Sequence, residues 1–264
     1  MADEAGQFEA RYIYSVARTD LKENLGDIGI GKETVYTIPH RGIAALVHSC
    51  WPLAYNTKDK ALAEEWIIEH SYVIDQATKR FGAVLPFSFD VIIKGDDAVI
   101  EQWLIRNYKH LLGALESVEG SAEYTIQIYY DHDDLSARVL ESDAELNALK
   151  GQIEKESKGK AYFLQKKLDQ KLKSRVSSQA ENLAAKYLLK IKSLVKELKA
   201  EGNKWMPEDY KRLKLLASYS CLVSDDRVAE LGEILEEIDR MQGFKVRFTG
   251  PWAPFSFASI QELA

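Results

Sequence analysis

Residues 11–18 (RYIYSVAR) alternate aromatic or β-branched side chains with polar ones, the period of two that turns one face of a strand toward a core. A Gly-rich stretch over 21–33 separates this strand from two more, 34–38 and 43–50, and the intervening Pro39-His40-Arg41-Gly42 predicts a hairpin. From 59 to 81 the period lengthens: Leu62, Trp66, Val73, Ile74, Ala77 and Phe81 recur at helical spacing, with Thr57 as N-cap and Gly82 just past the end. Residues 83–93 (AVLPFSFDVII) read as a strand again, and Pro86, which lacks a ladder donor, implies an edge position or a bulge. A second helix begins at Gly95-Asp96 and runs to Leu115, its apolar face built from Val99, Ile100, Trp103, Leu104, Leu111, Leu112 and Leu115.

After a strand over 123–131 (EYTIQIYYD) the pattern changes to a Lys/Glu/Leu/Ala-rich region over 133–200. Gly151 and Ser157-Lys158-Gly159 predict a break, giving a short helix and then a long Lys-rich one over 160–200. A short strand at 204–206 ended by Pro207, a strand over 213–223, a helix over 226–241 and a strand over 244–249 complete the chain. The second half thus reads β, long α, short β, β, α, β, the order of a ferredoxin-like domain. The fold class expected is α+β in two domains: a two-layer sandwich over 1–120, and a ferredoxin-like domain over 121–264 with a long helical insertion and an apolar C-terminal tail. The boundary is expected near Glu119-Gly120-Ser121.

Apolar residues make up 46% of the 264 and charged residues 29%, the balance of a chain that can fill a core. A net charge of −6 argues against a protein whose main task is to hold phosphate backbones. The charge is uneven, since 154–199 holds thirteen Lys/Arg against five Asp/Glu, a local +8 that leaves −14 for the remainder. A basic helix of this kind is either a solvated face, a dock for an acidic partner, or an RNA-facing surface, and the last is the alternative function carried forward. The strands lack the basic-Gly-aromatic run expected of an RNA-stacking sheet, so nucleic acid is the weaker reading. Cys50 and Cys221 lie in apolar runs and are expected to be buried free thiols. The first ten residues are short of any leader pattern and no window approaches the ~18 apolar residues of a membrane span, so a soluble cytoplasmic protein is expected.

Gly26-Asp27-Ile28-Gly29-Ile30-Gly31-Lys32 has the spacing of a phosphate-binding loop, but Glu33 stands where a hydroxyl should hold magnesium and a strand follows in place of a helix. A Gly-rich connector is the better account. His40, His48, His70, His110 and His132 show no metal-ligand spacing, and His70 is expected to be a hydrogen-bonded core histidine. Asp131-His132-Asp133-Asp134 is read as a helix cap. No nucleophile elbow, zincin helix or Cys/His pair is present, so no catalytic, cofactor-binding or metal-ligating residue is assigned and no enzyme is expected.

The last strand runs into Gly250-Pro251-Trp252-Ala253-Pro254-Phe255-Ser256-Phe257, three aromatics and two prolines without a charge. Such a segment must dock on its own chain or meet a partner. Pro251, Trp252, Pro254, Phe255 and Phe257 are therefore the candidate clasp or partner interface, and a clasp against the second domain is the favoured form. With three further segments this ending resembles the gas vesicle protein GvpL/GvpF family. The others are Tyr12 to Arg18, His40-Arg41-Gly42-Ile43-Ala44-Ala45-Leu46-Val47, and His70 with Val73-Ile74 followed by Gly82-Ala83-Val84-Leu85-Pro86-Phe87-Ser88-Phe89. Asp90 stands where the family has Gly, which bears on the local backbone; Ala253 and Phe255 replace a Pro and a Tyr. The resemblance implies a non-enzymatic gas vesicle accessory or structural protein of two α+β domains. It implies as partners the small hydrophobic shell protein and other gas vesicle accessory proteins, and a cytoplasmic location at the vesicle.

Overall fold

In the first strand, β1 (Ala10–Ala17), every residue but Arg11 is buried, so both of its faces must be covered. The computed structural model describes residues 10–202 and 208–258. On one side β1 pairs antiparallel with β4 (Ile43–Cys50), with Tyr12 opposite His48, Ile13 opposite Val47 and a register shift between Ile13 and Ser15. Tyr14 is the extra residue of that bulge. Beyond β4 lie β3 (Val35–His40) and the short β2 (Asn24–Gly26), while β5 (Val84–Pro86) and β6 (Ile92–Lys94) pair with the other edge of β1. The hairpin between β3 and β4 forms as the sequence predicts, turning through Arg41 and Gly42 with φ of 47° and 86°, both positive as a two-residue I′ turn demands. The single strand expected over 83–93 is instead two short pieces.

Helix α1 (Lys60–Phe81) is capped by Asp59 and not by Thr57: the Asp59 carboxylate accepts the Ala61 and Leu62 N–H groups, while the Thr57 hydroxyl accepts the N–H of Asp59 at 3.1 Å. It lies on the face that carries Tyr12 and Tyr14, through Val73, Ile74 and Ala77. The start of α2 (Asp97–Val118) meets the opposite face, where Arg11 Nε and the Tyr36 hydroxyl both donate to Asp97 Oδ1 at 2.6 and 2.8 Å. The first domain therefore has three layers, helix, sheet and helix, where the sequence reading had two. The near-continuous apolar run of β1 and β4 is the physical reason, since a sheet wet on one side would alternate.

A second, four-stranded sheet has the order β10-β7-β9-β8, built from β7 (Ser121–Tyr130), β8 (Glu197–Ala200), β9 (Lys214–Ser224) and β10 (Phe244–Trp252). The Lys-rich region breaks into α3 (His132–Ser142), α4 (Ala144–Ile153) and α5 (Lys158–Lys192), and α6 (Val228–Asp239) precedes the last strand. Asp131 caps α3 by accepting the N–H groups of Asp133 and Asp134, as expected of that acidic run, and Asp143 caps α4 in the same way. The long helix stops at Lys192, and Glu197–Ala200, assigned to it from the sequence, pairs antiparallel with β9 from Glu197 opposite Leu222 to Ala200 opposite Tyr219. The strand expected at 204–206 lies outside the described residues. Contacts divide the described chain into two compact units, one of residues 10–123 together with 250–258, the other of residues 124–249.

Candidate functional site

The terminal motif packs against the first unit, not the second as expected. Ala253 is 5% exposed within the cluster that contains Tyr12, Tyr14, Val73 and Ile74, and Phe255 lies half-buried against the same cluster. Glu123, itself buried, accepts both the backbone N–H of Ser256 at 2.8 Å and its hydroxyl at 2.6 Å, one from each carboxylate oxygen. The Phe257 and Ala258 N–H groups turn back to the Pro254 carbonyl, which sets Phe257 inward at 7% exposure. Pro251 and Trp252 remain outside, Trp252 at 50%, and line a cavity of about 180 Å³ with Asp75, Thr78 and Lys79 of α1. The five candidate residues thus divide: Pro254, Phe255 and Phe257 face the core, Pro251 and Trp252 face solvent.

Beneath this segment lies a polar network that sequence reasoning saw only in part. His70 is a buried core histidine, as expected, and its Nε2 must donate to the Phe87 carbonyl at 3.1 Å because a carbonyl can only accept. The ring is neutral, so Nδ1 accepts the Tyr12 hydroxyl at 2.9 Å, while that oxygen receives the N–H of Asp90 at 2.9 Å. The second half repeats the logic. The Ile30 N–H donates to the Tyr14 hydroxyl at 2.9 Å, and His48 bridges two hydroxyls, Tyr14 at Nδ1 over 2.7 Å and Tyr55 at Nε2 over 3.0 Å. The pairs are crossed: Tyr12 stacks on His48 with centroids 5.0 Å apart, and Tyr14 on His70 at 5.5 Å. Burial pushes both imidazoles down to about 4, with the Phe87 contact opposing this at His70, and pushes the Tyr12 and Tyr14 phenols well above their ordinary value.

The Gly-rich loop is spent on this network. Ile30 N–H goes to Tyr14, Gly31 N–H to a Glu69 carboxylate oxygen at 2.9 Å, Gly29 N–H to the Glu33 carbonyl and Lys32 N–H to the Gly29 carbonyl. The donors a phosphate would need are thereby committed within the chain. Gly29 is required by close approach, because a Cβ there would meet the Glu33 carbonyl at 2.7 Å and the Tyr14 hydroxyl at 2.8 Å. Asp90 holds φ at 71°, a left-handed conformation natural to glycine, and earns it by accepting the Tyr55 N–H on Oδ1 at 2.9 Å.

Above Tyr55 opens a cavity of about 390 Å³ whose walls include Glu33, Cys50, Trp51, Leu53, Tyr55 and Trp66. Cys50 and Cys221 are buried and outside any disulfide, as expected, and burial raises the Cys50 thiol to about 11, far from a reactive thiolate. Elsewhere the Lys-rich helix meets acids of its own chain: Lys171 bonds Glu145, Arg175 reaches Asp143 at 3.1 Å and Lys190 reaches Glu237 at 3.3 Å. Among the described residues no group of three or more His, Cys, Asp or Glu is placed to hold a metal ion, and no helix is long and apolar enough to cross a membrane.

Antiparallel sheets flanked by helices, in two units, define a mixed α+β protein. The sequence model of the gas vesicle synthesis protein GvpL/GvpF family matches residues 10–259, and the chain belongs to that family. It is similar to gas vesicle protein L1 of Halobacterium salinarum, 30% identical over 253 residues that cover 94% of this chain and 90% of the relative. It is also similar to gas vesicle protein L of Haloferax mediterranei, 30% identical over 233 residues, covering 87% and 72%. In three dimensions it is similar to the crystal structure of gas vesicle protein GvpF from Anabaena sp. PCC7120, with a TM-score of 0.73 at 19% identity, covering 96% of this chain and 99% of that one.

Proposed function

We propose that this protein is a non-enzymatic accessory protein that binds the hydrophobic shell protein of the gas vesicle, and other accessory proteins, while the vesicle is assembled in the cytoplasm. The observation that carries this is the family match across residues 10–259. The surface supports it. Trp51, Leu53, Ile67, Ile68 and Tyr72 of the first unit are all about half exposed or more, a density of apolar contact groups that suits a binding protein. Within this reading the terminal motif is a clasp on the first unit through Pro254, Phe255 and Phe257, with Pro251 and Trp252 free for contact. The second unit is read as ferredoxin-like, a view supported by the sheet order β10-β7-β9-β8, with helices α3 to α5 between β7 and β8 and α6 between β9 and β10.

Co-purification tests the proposal. A tagged copy expressed from its own gene cluster should retain the shell protein or another accessory protein of the same cell. Retention of neither, from cells in which vesicles are forming, would sink it.

A further inference from the structure

We infer that the cavity walled by Trp51, Tyr55, Trp66 and Glu33 receives a cationic side chain, an arginine or lysine, presented by a partner protein. Tyr55 and Trp66 stand at 84° with centroids 5.3 Å apart, a right-angled aromatic corner, and Trp51, 51% exposed, supplies a third ring to the same 390 Å³ space. Ring faces attract cations through their quadrupole, most strongly for Trp and Tyr. Glu33 is the one carboxylate of the lining, so an apolar occupant would cover a charge without compensating it.

The surrounding field has the same sign. The Tyr55 phenol is raised first by burial and next by the Cys50 thiol, and Glu33, Asp90 and Glu69 add to the shift through their negative charge. The described residues of the unit that holds the cavity, 10–123 and 250–258, carry twelve Lys/Arg against sixteen Asp/Glu, a net −4. The corner is also fixed before anything binds, since Tyr55 is held at its N–H by Asp90 and at its hydroxyl by His48. A preformed site spends little of its binding energy on ordering. Cys50 on the wall is a protonated thiol and adds no competing charge. This goes beyond the gas vesicle reading and does not need it: the probe is a small cation, so its result leaves the co-purification test untouched.

Choline and its uncharged isostere 3,3-dimethylbutan-1-ol separate a cation site from a merely greasy one. The full chain is titrated with each while the indole N–H resonances of Trp51 and Trp66 are followed by NMR. Choline should give saturable shifts at both indoles, and the neutral isostere should bind at least about tenfold more weakly, ~1.4 kcal/mol. Glu33→Gln, a surface change, should weaken choline severalfold, and Trp66→Leu should abolish its shifts in a chain that still melts cooperatively. Equal binding of both probes, no saturable response to choline, or shifts that survive Trp66→Leu would each overturn the inference.

Discussion

At the scale of single residues, the two buried histidines fix the sign of the acid response. Their folded-state values, about 4, lie below the ordinary 6.5, so above pH 6.5 both states are neutral and full stability is present. Between 6.5 and 4 the unfolded chain takes up protons that the folded chain refuses, and stability falls as pH falls. At ~1.4 kcal/mol per unit of difference, each histidine withdraws on the order of 3 kcal/mol by pH 4. Urea midpoints should drop steeply between pH 6.5 and 4.5, and His48→Gln/His70→Gln should flatten that drop; an equally steep curve in the double variant would refute the assignment. Asp90 makes a second prediction. Asp90→Ala keeps the left-handed strain and loses the bond to Tyr55, whereas Asp90→Gly loses only the bond, so Ala should cost about 1 kcal/mol more in chemical unfolding. The sequence showed Tyr12, Tyr14 and His70 on inward faces but not His48, because only strand register, with Tyr12 opposite His48, brings that ring into the network. Tyr55 and Glu33 sit outside any periodic segment, and Glu123, which opens the strand read over 123–131, meets a partner 133 positions away that no spacing rule could have marked.

At the scale of elements, the helical layer of the second unit has its own small core. Leu146, Leu149 and Leu168 are buried together, with Val139, Leu140, Leu164 and Leu172 around them. Leu168→Ala should destabilise by about 2–4 kcal/mol, a cavity-forming change at a buried site. Because that core is local, amide exchange should quicken in α4 and the first half of α5 while β1 and β4 stay protected. Equal acceleration in both regions would show one cooperative block instead. Exposed pairs such as Lys190 with Glu237 add little here. The helices were legible from their periods, with α3 and α4 read as one, and of the two strands not read, β2 and β8, the second explains itself: only Leu198 of its four residues is even partly buried. It carries no alternation of its own, and its strand form is imposed by the exposed edge of β9.

At the scale of the whole molecule, the terminal motif was legible as an anomaly while its dock was not, since nothing in an octapeptide says which unit it will meet. Its residues should now separate by experiment. Phe257→Ala should lower stability by about 3 kcal/mol and Trp252→Ala by less than about 1 kcal/mol, a ranking set by burial that differential scanning calorimetry can read. Glu123→Ala should cost about 1–3 kcal/mol by leaving the Ser256 N–H without its acceptor. If Trp252→Ala proves the more damaging, the clasp is misassigned.

The bond between Glu123 and Ser256 joins residues 133 positions apart, with the whole second unit between them. A ribosome adding roughly 5–20 residues per second needs about 7–27 s to travel that distance. For all of that time the emerging first unit lacks Ala253 and Phe255 over its aromatic core. The unit begun first is therefore finished last, and any chaperone or partner that recognises the open seam has a window set by translation, not by folding.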